Sequence, residues 1–115
     1  MDDSRISRMM LKAMIQVHYP DWEITEAEDG DAALKSCQYT QFDFITLDMN
    51  MSGRDGLTVS PELQDLCPDA KLALLTANFQ ERVKDKAQAQ GLSFIPKPIT
   101  EEKMIDYLSK HLAKK

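Results

Sequence analysis

Residues 42–48 of the chain have the sequence FDFITLD and are followed by a turn-rich stretch, NMSGRDG, at residues 50–56. The apolar run from Phe44 to Leu47 predicts a strand that is buried on both faces, as in a parallel sheet. Asp48 ends this strand, and open α/β folds bind their ligands at the carboxyl ends of their strands. We therefore expect Asp48 to lie in a functional site.

Other polar residues are predicted at the same edge of the sheet. Asp2 and Asp3 come directly before a helical pattern, whereas Thr76 and Lys97 each close a later apolar run. Three carboxylates, a hydroxyl and a lysine on one rim have the chemistry to bind a divalent metal and a phosphoryl group.

Strand and helix patterns alternate along the chain, which predicts an α/β sheet with right-handed crossovers. Strands are predicted at residues 22–26, 42–48, 72–75 and 92–95, and helices at about 4–18, 31–38, 61–66, 80–90 and 100–110. In the third helix, Ser60 is the expected N-cap and Pro61 the first helical residue. We therefore expect that helix to begin late or to kink at Pro61.

Length and composition restrict the class of protein. The chain has 115 residues, enough for one domain, and its net charge of -5 argues against a nucleic-acid partner. The sequence has neither a transmembrane span nor a signal peptide, so a cytoplasmic protein without a membrane partner is expected. Cys37 and Cys67 lack metal-ligand spacing and are expected to be reduced thiols.

The order of these motifs resembles the receiver domain of bacterial response regulators, and especially its single-domain, chemotaxis-type members. The matching pieces are DDS at 2–4, LDMNM at 47–51, DG at 55–56, LTA at 75–77 and KP at 97–98. They span nearly the whole chain, and together they are highly specific. The resemblance implies one receiver domain over residues 1–115 with a flavodoxin-like, doubly wound parallel sheet.

The resemblance also assigns roles at the predicted site. Asp48 would accept a phosphoryl group from a histidine kinase in a reaction that requires Mg²⁺. Asp3, Asp48 and the backbone carbonyl of Asn50 would ligate the metal directly, with Asp2 acting mainly through water. Such a protein is a signalling switch rather than an enzyme.

Two residues would act on the phosphoryl group itself, and one more would transmit the signal. Lys97, aimed inward by a cis bond to Pro98, and the hydroxyl of Thr76 would contact the phosphoryl oxygens. Thr76 and Phe94 would form the conformational switch, which would be read on the last two helices. A plain core role is equally compatible with Phe94.

Two other interpretations stay open at this stage. One is an aspartate-nucleophile phosphatase, which would carry a second acid where this chain has Asn50. The other is a protein-interaction module that needs no phosphorylation because truncation has disabled its site. The sequence does not name the kinase, the downstream target or the signal.

The chain departs from the family before its acidic pair. The family has an apolar strand there, at the centre of the sheet, where this chain has only Met1. We therefore expect an N-terminally truncated receiver domain that lacks its first strand. Unpaired strand edges favour pairing with another chain, so a homo-oligomer formed by strand pairing or element exchange is expected.

Overall fold

The computed structural model describes residues 1–2, 4–49, 56–77 and 81–113, with side chains up to residue 110. Within these residues the elements are α1 (Arg5–His18), α2 (Gly30–Tyr39), β1 (Phe44–Asp48), α3 (Gly56–Leu66), β2 (Lys71–Thr76), α4 (Glu81–Ala89), β3 (Ser93–Pro96) and α5 (Glu101–Ala113). The alternation of strands and helices confirms the predicted α/β class. No helix in this part of the chain is long and apolar enough to cross a membrane.

The three strands form one parallel sheet in the order β1-β2-β3. Asp48 at the end of β1 lies opposite Leu75, and Thr76 at the end of β2 lies opposite Pro96. Because parallel strands end at the same edge of a sheet, Asp48, Thr76 and Lys97 share one rim, as predicted.

Helices cover both faces of this sheet. On one face, strand residues Leu47, Leu72 and Leu74 pack against buried side chains of α2, α3 and α4. On the other, Ala73, Leu75 and Ile95 pack against α5, with parts of α1 at the margin. Alternate strand residues thus face opposite layers, which is why apolar residues follow one another in the strands instead of alternating with polar ones.

The strand predicted at residues 22–26 is wrong, because these residues form no regular secondary structure. A strand needs a neighbour for its main-chain hydrogen bonds. The nearest bond of this kind comes from Asp2, whose N–H donates to the carbonyl of Ala27 just beyond the segment (3.1 Å). The described residues therefore give three strands, which agrees with a receiver sheet that lacks its first strand.

The late start expected for α3 is also wrong, whereas the alternative, a kink at Pro61, stays a prediction. The helix begins at Gly56 and Pro61 lies inside it. Pro61 has no N–H for the carbonyl of Leu57, but the buried Ser60 hydroxyl lies 3.4 Å from that oxygen. Ser60 also donates to the side chain of Gln90. Because the hydroxyl has a single proton, the Leu57 carbonyl keeps at most a weak polar contact where the helical bond is lost.

The two cysteines are buried and free, as expected for reduced thiols. Burial raises the pKa of Cys37 to about 12, and its contact with the Cys67 thiol acts in the same direction. The Cys67 sulfur donates to the carbonyl of Thr40, at the end of α2 (3.6 Å). Both thiols therefore serve the packing of α2 against α3.

Candidate functional site

The site is centred on an ion pair between Asp48 and Lys97. Lys97 Nζ lies 3.0 Å from Asp48 Oδ1 and 3.1 Å from Oδ2, so the ammonium donates to both carboxylate oxygens. The Asp48 side chain is 5% exposed, whereas that of Lys97 is 32% exposed. A buried carboxylate is thus neutralised by a lysine whose head group remains close to solvent.

The first two residues of the chain hold a second carboxylate beside this pair. The Asp48 N–H donates to the carbonyl of Met1 (2.9 Å), and the Met1 nitrogen donates to the carbonyl of Thr46 (2.7 Å). These two bonds attach Met1 to the outer edge of β1 in the manner of a parallel strand. They bring Asp2, only 2% exposed, to the same rim as Asp48.

The position of Asp2 is fixed further by the start of α1. Its Oδ1 accepts the N–H of Ser4 (2.8 Å), and its carbonyl accepts a hydrogen bond from Arg8 (2.7 Å). Ser4 is itself the N-cap of α1, where its hydroxyl accepts the N–H of Ser7 (3.3 Å). The short segment before the helix therefore serves both the capping of α1 and the placement of Asp2.

The ionisation of Asp2 is opposed by its surroundings. The pKa of Asp2 is raised above its usual 3.8, first by burial and then by the charge of Asp48 and a hydrogen bond with Asp48. The N–H of Ser4 and the charge of Lys97 act in the opposite direction. A cation beside the two carboxylates would offset the repulsion from Asp48, and carboxylate oxygens suit Mg²⁺.

A main-chain hydrogen bond joins the end of β3 to the end of β2. The N–H of Lys97 donates to the carbonyl of Thr76 (2.9 Å), and Thr76 is fully buried. The Lys97-Pro98 peptide bond is cis, as the resemblance implied. The structure therefore brings together four of the predicted site residues: Asp2, Asp48, Thr76 and Lys97.

Lys103 was not foreseen as part of the site. Its Nζ donates to the carbonyls of Pro96 (3.1 Å) and Pro98 (3.0 Å), the residues on either side of Lys97. The one sequence signal is its position, because Lys103 stands where a capping box after Thr100 would have Glu or Gln. Thr100 does cap α5, since its hydroxyl accepts the N–H of Lys103 (3.2 Å). The lysine side chain instead holds the loop that carries Lys97.

The backbone at the end of β1 also depends on one glycine. A Cβ atom on Gly56 would lie 2.9 Å from the carbonyl oxygen of Asp48 and 2.8 Å from a methyl group of Leu74. The first residue of α3 therefore packs directly against the backbone of Asp48. This close approach explains the glycine of the Asp55-Gly56 motif.

Of the remaining predicted residues, Phe94 is the one that the structure describes. Phe94 is half-buried on β3, and the Nζ of Lys84 in α4 lies 5.7 Å from its ring centre. Asp3 and Asn50 fall outside the described residues. Among the residues that are described, no three His, Cys, Asp or Glu side chains group in a way that could hold a metal ion.

Comparison with known proteins agrees with this geometry. The sequence model of the response regulator receiver domain matches residues 1–109. The chain belongs to the response regulator receiver domains. It is 30% identical over 112 residues to the chemotaxis protein CheY of Bacillus subtilis, covering 96% of this chain and 92% of that protein. Receiver domains are signalling modules of two-component systems.

Solved structures extend the comparison to the fold. The chemotaxis protein CheY4 of Vibrio cholerae superimposes with a TM-score of 0.85 at 26% identity, covering 95% of this receiver domain and 92% of that chain. The Thermotoga maritima regulator TrrA, solved in complex with Mg²⁺ and BeF, gives a TM-score of 0.78 at 29% identity, with coverage of 95% and 92%. The receiver domain is therefore flavodoxin-like, as predicted.

Proposed function

We propose that Asp48 of this receiver domain accepts a phosphoryl group from the phosphohistidine of a histidine kinase. The observation that carries the proposal is the pairing of Asp48 with Lys97 at the carboxyl end of β1. The carboxylate is buried among packed strands, yet its partner lysine reaches it from the solvent side. Lys97 thus supplies a positive charge beside the proposed nucleophile.

The proposed transfer is a displacement at phosphorus. An oxygen of Asp48 forms a bond to the phosphorus while the bond between phosphorus and the kinase imidazole breaks, and the imidazole recovers a proton from water. Lys97 then follows the negative charge from the carboxylate to the phosphoryl oxygens. The Thr76 hydroxyl, at the neighbouring strand end, would donate to one of them. Positioning and charge stabilisation of this kind are the main requirements of phosphoryl transfer.

The proposed metal ligands are Asp3, Asp48 and the carbonyl of Asn50, with Asp2 acting through water. The two described carboxylates fit a cation. Burial and the neighbouring Asp48 raise the pKa of Asp2, and a bound cation would offset the repulsion between two carboxylates in contact. When bound, Mg²⁺ neutralises charge on the oxygens of the phosphoryl group. The main-chain bonds of Met1 to β1 and of Asp2 to Ala27 hold the two carboxylates at one rim.

We also propose that phosphorylation is read through Thr76 and Phe94 on the surface of α4 and α5. The ring of Phe94 is half-buried and contacts Lys84 of α4, so that inward movement of the ring would alter this surface. The downstream partner would be a protein that binds there. The predicted homo-oligomer stays a prediction, because a single chain does not test it.

Phosphorylation by a small donor tests the proposal without knowledge of the kinase. With acetyl phosphate and Mg²⁺, the protein should gain the mass of one phosphoryl group, and chelation of Mg²⁺ should prevent the gain. A protein-interaction module with a disabled site would gain no mass in either condition. A phosphatase would instead consume acetyl phosphate continuously and release phosphate far in excess of the protein.

A further inference from the structure

The ring of Phe94 lies on the same face of the sheet as Thr76. Phe94 of β3 is paired in register with Leu74 of β2, and both side chains pack into the same core cluster. Thr76 follows Leu74 by two residues and ends the strand, so its side chain points to this face as well. The ring and the residue that carries the rim hydroxyl are therefore neighbours across two strands.

Lys84 of α4 lies over the face of this ring. Its Nζ is 5.7 Å from the ring centre, within the distance of about 6 Å at which an ammonium group is attracted to the negative face of an aromatic ring. Lys84 and Phe94 are both half-buried, and partial removal of water strengthens an attraction of this kind. The position of the ring is therefore coupled to a charge on α4.

The helix that carries Lys84 is fixed against the rest of the fold. Val83 and Ala87 are buried, so one side of α4 packs into the core. Just beyond the last residue of the helix, the side chain of Gln64 in α3 donates to the carbonyl of Gln90 (2.6 Å). A lysine on a helix held in this way has little freedom to follow the ring, so inward movement of the ring would break the contact.

We infer that Lys84 holds the Phe94 ring in its outward position and thereby opposes the phosphorylated conformation of the protein. The inference rests on the proposed function, in which phosphorylation of Asp48 is read through Thr76 and an inward movement of the ring. An interaction that is present in one conformation only shifts the equilibrium toward that conformation. Lys84 is a positioning residue, because it acts on the switch through the ring alone.

The consequence is a lower affinity for any group that selects the phosphorylated conformation. When the binding-competent conformation is the minor one, the affinity of its ligand is reduced in proportion to the population of that conformation. Loss of the contact between Lys84 and the ring should therefore raise the affinity for beryllofluoride, which mimics a phosphoryl group on Asp48 when Mg²⁺ is present. The gain should be that of one partly exposed cation–π contact, roughly two- to fivefold.

Titration of the unphosphorylated protein with beryllofluoride and Mg²⁺ tests the inference, with the amide resonance of Asp48 as the readout. Lys84→Gln removes the charge but keeps a good helix-forming residue, and should raise the affinity roughly two- to fivefold. Lys84→Arg, whose guanidinium also stacks on aromatic faces, should restore the wild-type affinity. Lys86→Gln is the matched control, with the same loss of charge on an exposed residue of α4, and should leave the affinity unchanged.

A double variant separates the contact from a general effect of charge. Phe94→Leu removes the aromatic face but keeps an apolar side chain, so Lys84→Gln should not change the affinity in this background. In the wild type, the ring current of Phe94 should shift the resonances of the Lys84 ε-methylene protons, and beryllofluoride should abolish this shift as the ring moves away. This second measurement remains decisive should Phe94→Leu not fold.

Three results would overturn the inference alone. One is an unchanged affinity for beryllofluoride in Lys84→Gln. The second is an equal gain from Lys84→Gln with and without the ring of Phe94, because charge alone would then account for it. The third is a Lys84 methylene shift that beryllofluoride leaves in place, because the ring would not have moved. Wild-type protein that binds no beryllofluoride would overturn both the inference and the proposed function, so the two failures are distinguishable.

Discussion

Lys97 Nζ donates to both carboxylate oxygens of Asp48, at 3.0 and 3.1 Å, across 49 residues of sequence. The two residues belong to the ends of β1 and β3, with Thr76 of β2 between them in the sheet. Three separate strands thus converge on a single carboxylate. The chemistry proposed for Asp48 depends on this convergence more than on any one residue.

The first prediction concerns the charge of Lys97. Lys97→Gln should slow phosphorylation by acetyl phosphate roughly 10²- to 10³-fold, because a positioned donor to the developing charge is lost. Lys97→Arg keeps the positive charge but not the geometry of the ammonium group, so its phosphorylation rate should lie between those of the wild type and Lys97→Gln. Rates are measured from intact mass against time. A Lys97→Gln variant as fast as the wild type would remove Lys97 from the mechanism.

The second prediction concerns Lys103 as a positioning residue. Lys103→Met removes hydrogen bonds to the carbonyls of Pro96 and Pro98 and should slow phosphorylation roughly tenfold by loosening the loop of Lys97. Lys103→Arg, which can still donate to both carbonyls, should restore most of the rate. Lys110→Met is the matched control, on an exposed residue of the same helix, and should leave the rate unchanged. Equal rates in the two methionine variants would refute the role.

The third prediction concerns the contact between α3 and the end of β1. Gly56→Ala should lower the free energy of unfolding by about 1–3 kcal/mol, because the new methyl group would overlap the Asp48 carbonyl and Leu74. Gly30→Ala should cost less, since its nearest neighbour is a single methyl group of Val59, at 3.1 Å. Urea denaturation of both variants measures the difference. If the order of the two losses were reversed, the close approach at Gly56 would not matter.

The fourth prediction concerns Asp2 and pH. The pKa of Asp2 in the folded chain is raised above 3.8, its usual value in an unfolded chain. Between these two pKa values the folded chain therefore binds more protons than the unfolded chain. In metal-free protein, the contribution of this carboxyl to the free energy of unfolding is therefore lost as pH rises from the unfolded to the folded pKa of Asp2. Asp2→Asn should remove this pH dependence. Mg²⁺ should raise Tm in the wild type, and less so in Asp2→Asn. The idea fails if Asp2→Asn leaves both the pH dependence and the Mg²⁺ effect unaltered.

The rim could be predicted from sequence because it depends on where strands end. The apolar run before Asp48 and those before Thr76 and Lys97 place three side chains at one edge of any parallel sheet. Asp2 was expected at the same edge from its place before a helical pattern, but no pattern in a single sequence predicts that Met1 would bond to Thr46 and Asp48. Lys103 was missed for a similar reason, since its partners are backbone carbonyls.

The errors arose where a local preference was decided by tertiary structure. Residues 22–26 alternate as a strand does, but alternation does not supply the neighbouring chain that a strand requires. Ser60 and Pro61 form a strong helix-start signal, yet Ser60 is buried within a helix that has already begun, and its hydroxyl donates to the side chain of Gln90 in a distant part of the chain. In both cases the deciding partner is absent from the local sequence pattern.

The site of phosphorylation is the most direct test of the account. Wild-type protein and Asp48→Asn are treated with acetyl phosphate and Mg²⁺, reduced with borohydride to trap an acyl phosphate, and mapped by peptide mass spectrometry. The account predicts one modified residue, Asp48, in the wild type and none in the variant. A phosphoryl group on another residue of the wild type, or modification that persists in Asp48→Asn, would contradict it.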